Sequence, residues 1–182
     1  WDVLAGDCKP AQRVLIFDDA GDHVGLQAAE ILAKAGSDVE ITTPDRSFAP
    51  EVMGMNLVPY MRSLQSLNTR FTVTYRLISV EKKSDGLHAL IGSDYGSAQH
   101  VKVYDQILIN HGTLPLDELY FELKPLSSNL GQVDYDQLIN SRPQTVQVNK
   151  GGAFQLYRIG DAVSSRNTHA AIYDALRLMR EL

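Results

Sequence analysis

The turn "DDAGDHVG", residues 18–25, is the first place in this 182-residue chain where chemistry could sit. It lies between an apolar run, Val14 to Phe17, and a helical pattern, where a dinucleotide-binding unit carries its G-x-G-x-x-G turn. In such a turn the first glycine permits the tight bend and the second lets backbone approach pyrophosphate. The third allows close packing of helix on strand. Here Ala20 takes the first position, Asp22 the second and Gly25 the third, with Gly21 between the first two. Asp22 brings a carboxylate to where phosphate charge would lie. At about 4 Å and an effective dielectric near 20, one such pair of like charges costs roughly 4 kcal/mol before screening. The acid that would hold the adenosine ribose is also missing, because the second β-type run ends on Thr42 and Thr43. Arg46, just beyond, either faces a 2′-phosphate or is a solvated loop residue. The expectation is a turn with the shape of a dinucleotide cradle that does not bind NADH or NADPH tightly.

A second constellation is "IGDAVSSRNTH", residues 159–169. Gly160 turns the chain, Asp161 stands at the tip, and a helix is expected from Asn167 or Thr168. Asp161 either accepts a hydrogen bond from a ribityl or ribose hydroxyl or satisfies amides of its own turn; both readings stand on residue chemistry alone. "ILINHGTLP", with Gly112 at its bend, resembles the strand-and-glycine turn that passes a bound flavin in two-domain flavoproteins. His111 reads as a turn residue. No Ser/His/Asp or Cys/His arrangement is present, so no catalytic residue is expected in this chain. The five histidines lack metal-ligand spacing, and no metal site is expected. Cys8, the single cysteine, reads as a surface thiol. It excludes an internal disulfide or a cysteine-ligated cluster and suits a reducing, cytoplasmic setting. A net charge of −5 without basic clusters argues against nucleic acid, and no apolar run approaches the length of a membrane span.

The elements that must position these residues follow from periodicity. With 44% hydrophobic residues the chain can build one substantial core or two small ones. Residues 13–19 read as a strand buried on both faces, and 38–43 as the next strand. The helix between them should run from Gly25 to about Ala35, with Leu26, Ala29, Ile31, Leu32 and Ala35 on one side and Gly36 as C-terminal cap. A further helix is expected over residues 51–67, kinked or broken at Pro59. Three β-type runs follow, "RFTVTYRLISVEKK", "GLHALIGSD" and "AQHVKVYDQILIN", separated by "SDG" and "DYGS". Short turns between consecutive runs demand antiparallel pairing, so a three-stranded meander should pack on an otherwise parallel sheet and lead into a last buried strand, Gln106 to Asn110. Residues 116–144 are loop-rich with short helical pieces. "TVQVN" and "AFQLYRIG" are strand candidates, and an amphipathic helix closes the chain.

This order of parts resembles the two-dinucleotide-binding-domain flavoproteins. More specifically, "WDVLAGD", "FDDAGDHVGLQAAEILAKAGSDVEITTP" and "RIGDAVSSRNTHAAIYDALRLMREL" resemble the C-terminal region of trimethylamine dehydrogenase-like N-methyl-amine demethylases, NADH:flavin oxidoreductases related to 2,4-dienoyl-CoA reductase. The resemblance implies a Rossmann-like α/β fold. Residues 1–11 would be a lead-in from an outer FAD- or ADP-type domain, 12–112 an inserted NAD(P)-binding-like domain, and 113–182 the return of the outer one. Gly160 and Asp161 match that family's Gly-Asp motif beside flavin or ADP. Gly112, Gly21 and Gly25 complete the cofactor-contacting set that the resemblance suggests.

It further implies a full-length enzyme with FMN and a [4Fe–4S] cluster in an N-terminal barrel, FAD or ADP in the outer domain, and possibilities of a protein electron acceptor and a homo-oligomer. The chain itself would be an excised piece that does no chemistry and holds no cofactor tightly. The departure at Ala20 and Asp22 fits the demethylase branch better than an NAD(P)H-dependent enoate reductase. A non-catalytic module for oligomer contacts or acceptor docking is the third reading.

Overall fold

A computed structural model describes residues 1–179; the last three residues of the closing segment lie outside the described residues. The chain divides into two compact units, Trp1–Gly112 and a second beginning at Thr113.

The first unit opens with a short helix, α1 (Asp2–Ala5), followed by β1 (Arg13–Asp18), α2 (His23–Lys34), β2 (Asp38–Thr42), α3 (Gly54–Ser66) and β3 (Arg70–Thr72). Then come β4 (Tyr75–Lys83), β5 (Gly86–Ser93), β6 (Gln99–Tyr104) and β7 (Gln106–Asn110). A four-stranded parallel sheet has the order β3-β2-β1-β7, and β4-β5-β6 form a separate antiparallel sheet, the expected meander. β1 is central because it is apolar on both faces. Val14 and Ile16 pack with Leu26, Ala29 and Leu32 of α2, whereas Leu15 packs with Ala89, Ile91 and Tyr104 of the meander. Each Val, Leu or Ile side chain so buried contributes about 1.5–3 kcal/mol. Alternation along the strand thus binds the helix layer on one side and the second sheet on the other. Val3 of α1 joins the same helix-side core.

α2 begins two residues before Gly25, with Asp22 as N-cap: its side chain accepts from the Val24 amide. At the other end the Gly36 amide donates to the Ala33 carbonyl and the Ser37 amide to the Leu32 carbonyl. Gly36 has φ of 93°, so this is the paired C-terminal cap that glycine permits. The expected buried stripe needs correction. Leu26, Ala29 and Leu32 are buried with Ala28 and Ala33, but Ile31 is 42% exposed and Ala35 is exposed. At 100° per residue, position 31 falls outside the arc centred on 29.

α3 starts at Gly54, three residues later than expected, and is continuous through Pro59. Proline there removes one intrahelical donor without ending the helix. The run at 70–83 is not one strand. Thr74 takes φ of 63°, its amide bonds to Asp45 and the Tyr75 amide to Thr43, and the chain changes sheets. Phe71 therefore pairs beside Ile41 in the parallel sheet, outside the meander. β7 is half-buried and not fully so: it pairs with β1 alone, and Ile109 is 55% exposed.

In the second unit, α4 (Glu118–Leu123), α5 (Tyr135–Ile139) and α6 (Thr168–Met179) are joined by loops and two single 3₁₀ turns, Lys124–Leu126 and Gly160–Ala162. α6 starts where the sequence placed it. The two strand candidates form no ladder among the described residues; one parallel bridge, Ser127 to Phe154, is the trace of pairing. Their backbone is satisfied by a loop instead. Val148 and Asn149 amides donate to the Ser128 carbonyl, and the buried Asn129 side chain accepts from the Leu156 amide at 2.9 Å and donates to its carbonyl at 2.9 Å. An extended segment whose amides are taken this way does not need a strand neighbour.

Candidate functional site

The parallel strands of the first unit end at the turn 18–25, and α2 points its N-terminus at the same edge. In this fold that edge is where a dinucleotide would lie. Gly21 has φ of 67° and sits against Pro50: a Cβ there would come within 2.6 Å of the proline ring, so both conformation and space require glycine. Gly25 is needed for another reason. An added Cβ would collide with the Asp18 carboxylate. The third glycine thus makes room for an acid as well as for the strand.

Asp18 is the residue that sequence reasoning overlooked. It is 3% exposed at the end of β1. Its Oδ1 accepts from the Ala20 amide at 3.2 Å, the Gly21 amide at 3.1 Å and Asn110 Nδ2 at 2.9 Å. The same Asn110 amide donates to Asp22 Oδ1 at 3.1 Å, which also takes the Val24 amide at 2.9 Å. Burial pushes the Asp18 carboxyl above the ordinary range, opposed by the Gly21 amide and Asn110 and reinforced by the charge of Asp22. The signal was present in the period of the strand: Val14, Ile16 and Asp18 are alternate residues and share the face under α2. Beside them Asp19 Oδ1 lies 2.7 Å from His111 Nδ1, and the imidazole stands edge-on to Phe17 at 5.5 Å between ring centroids.

Of the amides at this turn, those of Ala20 and Gly21 are engaged by Asp18 and that of Val24 by Asp22, so two acids line this part of the edge. Thr42 and Thr43 at the end of β2 are buried, and Arg46 is exposed. Gly112, with φ of 79°, is exposed next to His111 and has Ala20 Cβ as its nearest neighbour at 4.0 Å from a built Cβ. Gly112, Gly21 and Gly25 therefore belong to one edge of the first unit.

Gly160 and Asp161 belong to the second unit. Gly160 is buried with φ of 56°, and its amide donates to Asp174 Oδ2 at 3.2 Å; Arg166 pairs with the same carboxylate. Asp161 is exposed at the tip of the 3₁₀ turn. Asn167 caps α6 by accepting from the Ala170 amide at 2.9 Å.

The opposite, amino-terminal end of the parallel sheet carries an open cleft of about 330 Å³ lined by Arg13, Asp38, Glu40, Arg70, Lys102 and Tyr104. Its charges satisfy one another. Glu40, 1% exposed, accepts from Lys102, Thr72 Oγ1 at 2.9 Å and Tyr104 Oη at 3.0 Å, while Arg70 pairs with Asp38 at 2.7 Å. This cluster fastens the two sheets.

A parallel sheet with a βαβ turn, and an antiparallel meander inserted before its last strand, define a Rossmann-like α/β fold of the FAD/NAD(P)-binding type. No protein-family model matches the chain. It is 65% identical over its whole length to a probable N-methylproline demethylase of Rhizobium meliloti (strain 1021), and covers 27% of that protein. It is 39% identical, again over its whole length and 27% of the relative, to an N,N-dimethylglycine/sarcosine dehydrogenase of Chromohalobacter salexigens. A multifunctional alkene reductase/demethylase of Caballeronia cordobensis is 30% identical over 98% of the chain and 27% of its own length. The chain is thus similar along its length to one region of proteins named as N-methyl-amine demethylases and dehydrogenases, and spans about a quarter of the length of these relatives. The fold agrees: histamine dehydrogenase from Rhizobium sp. 4-9 superposes with a TM-score of 0.66 over 97% of the chain and 24% of that structure, at 18% identity. The 6-hydroxypseudooxynicotine amine oxidase of Pseudomonas geniculata N1 gives 0.66 over 95% of the chain and 22% of its own, at 21% identity.

Proposed function

We propose that the chain is the C-terminal nucleotide-binding-type region of a multidomain flavin-dependent oxidoreductase that demethylates a small N-methylated amine, and that it performs no chemistry itself. The observation that carries this reading is the 65% identity to a probable N-methylproline demethylase along all 182 residues. In the full-length protein FMN and a [4Fe–4S] cluster would supply the redox chemistry outside this chain, with a protein as electron acceptor, and no residue of this chain is assigned to that chemistry. Its part is architectural: the first unit is an inserted NAD(P)-type domain whose cradle no longer serves a nicotinamide, and the second is the return of an outer FAD- or ADP-type domain. In that arrangement Gly160 and Asp161 face the flavin or ADP, with Gly112, Gly21 and Gly25 lining the edge of the inserted domain. The protein resides in the cytoplasm; no helix among the described residues is long and apolar enough to cross a membrane.

A second reading, an NAD(P)H-dependent enoate reductase, is favoured by the alkene reductase named among the relatives. Anaerobic titration of the full-length protein separates the two. Addition of an N-methylated amine such as N-methylproline should bleach the flavin spectrum and release formaldehyde, with NADH and NADPH leaving it unchanged. Bleaching by NADPH alone would move the protein to the reductase reading.

A further inference from the structure

Restoring the missing glycines would not reopen the dinucleotide cradle, because the group that fills it lies upstream of them. Asp18 Oδ1 accepts from both Ala20 and Gly21 amides and from Asn110. Its other oxygen lies in the space that Gly25 leaves by having no side chain. Asn110 holds Asp18 and Asp22 together by donating to one oxygen of each. We propose that the Asp18 carboxylate is an internal occupant of the phosphate cradle, standing in for the pyrophosphate of a dinucleotide, and that it is the residue determining that this site refuses NADH and NADPH.

Three features support the assignment. Turn amides are oriented donors that favour an anion, and here the anion is supplied by the chain itself at hydrogen-bond distance. The carboxylate is buried, so it is fixed in place and an incoming phosphate would have to displace it from at least two amides. Asp22 contributes differently: it caps α2 through Val24, an ordinary use of an N-cap acid that many helices make. Charge at Asp22 repels a phosphate; the side chain of Asp18 occupies its place. Removing the first without the second leaves the cradle filled.

This inference rests on the reading of the chain as a region that does not use a nicotinamide, and one experiment tests the two separately. NADH is titrated into the 182-residue chain, with binding followed by cofactor fluorescence and folding by circular dichroism. The unaltered chain and Ala20→Gly/Asp22→Gly should both bind no tighter than about millimolar. Adding Asp18→Ala, or the milder Asp18→Ser, to that double variant should tighten binding at least tenfold. If the double variant alone binds as tightly as the triple, or a folded triple gains nothing, Asp18 is not the occupant and the inference fails while the functional reading stands. Low-micromolar binding to the unaltered chain would instead overturn the functional reading.

An NMR titration of the unaltered chain covers the case in which Asp18 variants do not fold. The amide protons of Ala20 and Gly21 should shift together with the Asp18 carboxyl carbon as pH is changed; Asp22, Asp19 and His111 are the other ionisable groups at this edge. Amide shifts that do not follow the Asp18 carboxyl carbon would overturn the assignment.

Discussion

Lys102 on β6 donates to both carboxylate oxygens of Glu40 on β2, at 2.8 and 3.0 Å, and so links the antiparallel sheet to the parallel one. Glu40 is buried and Lys102 is 42% exposed by side chain. Removing one partner of a buried pair costs roughly 3–5 kcal/mol; with the lysine half in water and Thr72 and Tyr104 still donating, Lys102→Met should cost about 1–2 kcal/mol. Urea denaturation reads this as a lower midpoint at unchanged slope. A midpoint equal to that of the unaltered chain would mean that Glu40 does not depend on the lysine.

Glu40 and Asp18 should make opposite contributions to the pH dependence of stability. Burial would raise the Glu40 carboxyl, but the hydrogen bonds of Lys102 and Thr72 outweigh it and the net shift is downward. A depressed folded pKa means that stability is present above the ordinary glutamate range and is lost as pH falls through the folded value. Asp18 is raised by burial, so the fold binds its proton more readily than the unfolded chain does, and its contribution becomes less favourable as pH rises through the folded value. Thermal melts between pH 3 and 8 should therefore show Glu40→Gln losing part of the acid-side fall. Asp18→Asn should lose part of the opposing slope. Parallel profiles for both variants would contradict this pair of assignments.

Gly25→Ala should destabilise the first unit by about 1–3 kcal/mol, since its methyl group has to displace the Asp18 carboxylate. In the Asp18→Ser background the same substitution should cost much less, because the colliding group is gone. A double-mutant cycle measures the difference, and a coupling energy near zero would place the strain elsewhere.

Asp161→Ala is expected to weaken FAD or ADP retention in the full-length protein by about 1.5–3 kcal/mol, the size of one hydrogen bond to a charged acceptor. Because Asp161 is exposed, the thermal stability of the isolated chain should not change. Occupancy and affinity equal to those of the unaltered enzyme would remove Asp161 from the site.

Strand β1, the C-terminal cap of α2 and the meander were legible in the sequence because each is set by local signals: an apolar run, Gly36 after a helical period, and short polar turns between β-type runs. What was missed depends on partners distant in sequence. The run at 70–83 divides because Thr43 and Asp45 take the amides of Tyr75 and Thr74. The strand candidates of the second unit stay irregular because Ser128 and Asn129 satisfy them. At the turn, the glycine substitutions were visible, and Asp22 was given the role of repelling phosphate. The hydrogen bonds give Asp22 the helix cap and Asp18 the turn amides, a division that needs Asn110, 92 positions away from Asp18, to hold it.

The second unit is held chiefly by polar groups. Among its described residues Leu178 is the one buried hydrophobic side chain, while Ser127, Asn129 and Gln144 are buried and hydrogen-bonded. Heat capacity of unfolding rises with exposed apolar surface and falls with exposed polar surface. Melting of this unit should therefore carry little heat-capacity change, with a flat free-energy curve and little tendency to cold denaturation. The first unit, with its two-faced apolar strand, should show the usual curvature. A calorimetric trace of the chain would then separate into one sharply curved and one nearly straight contribution.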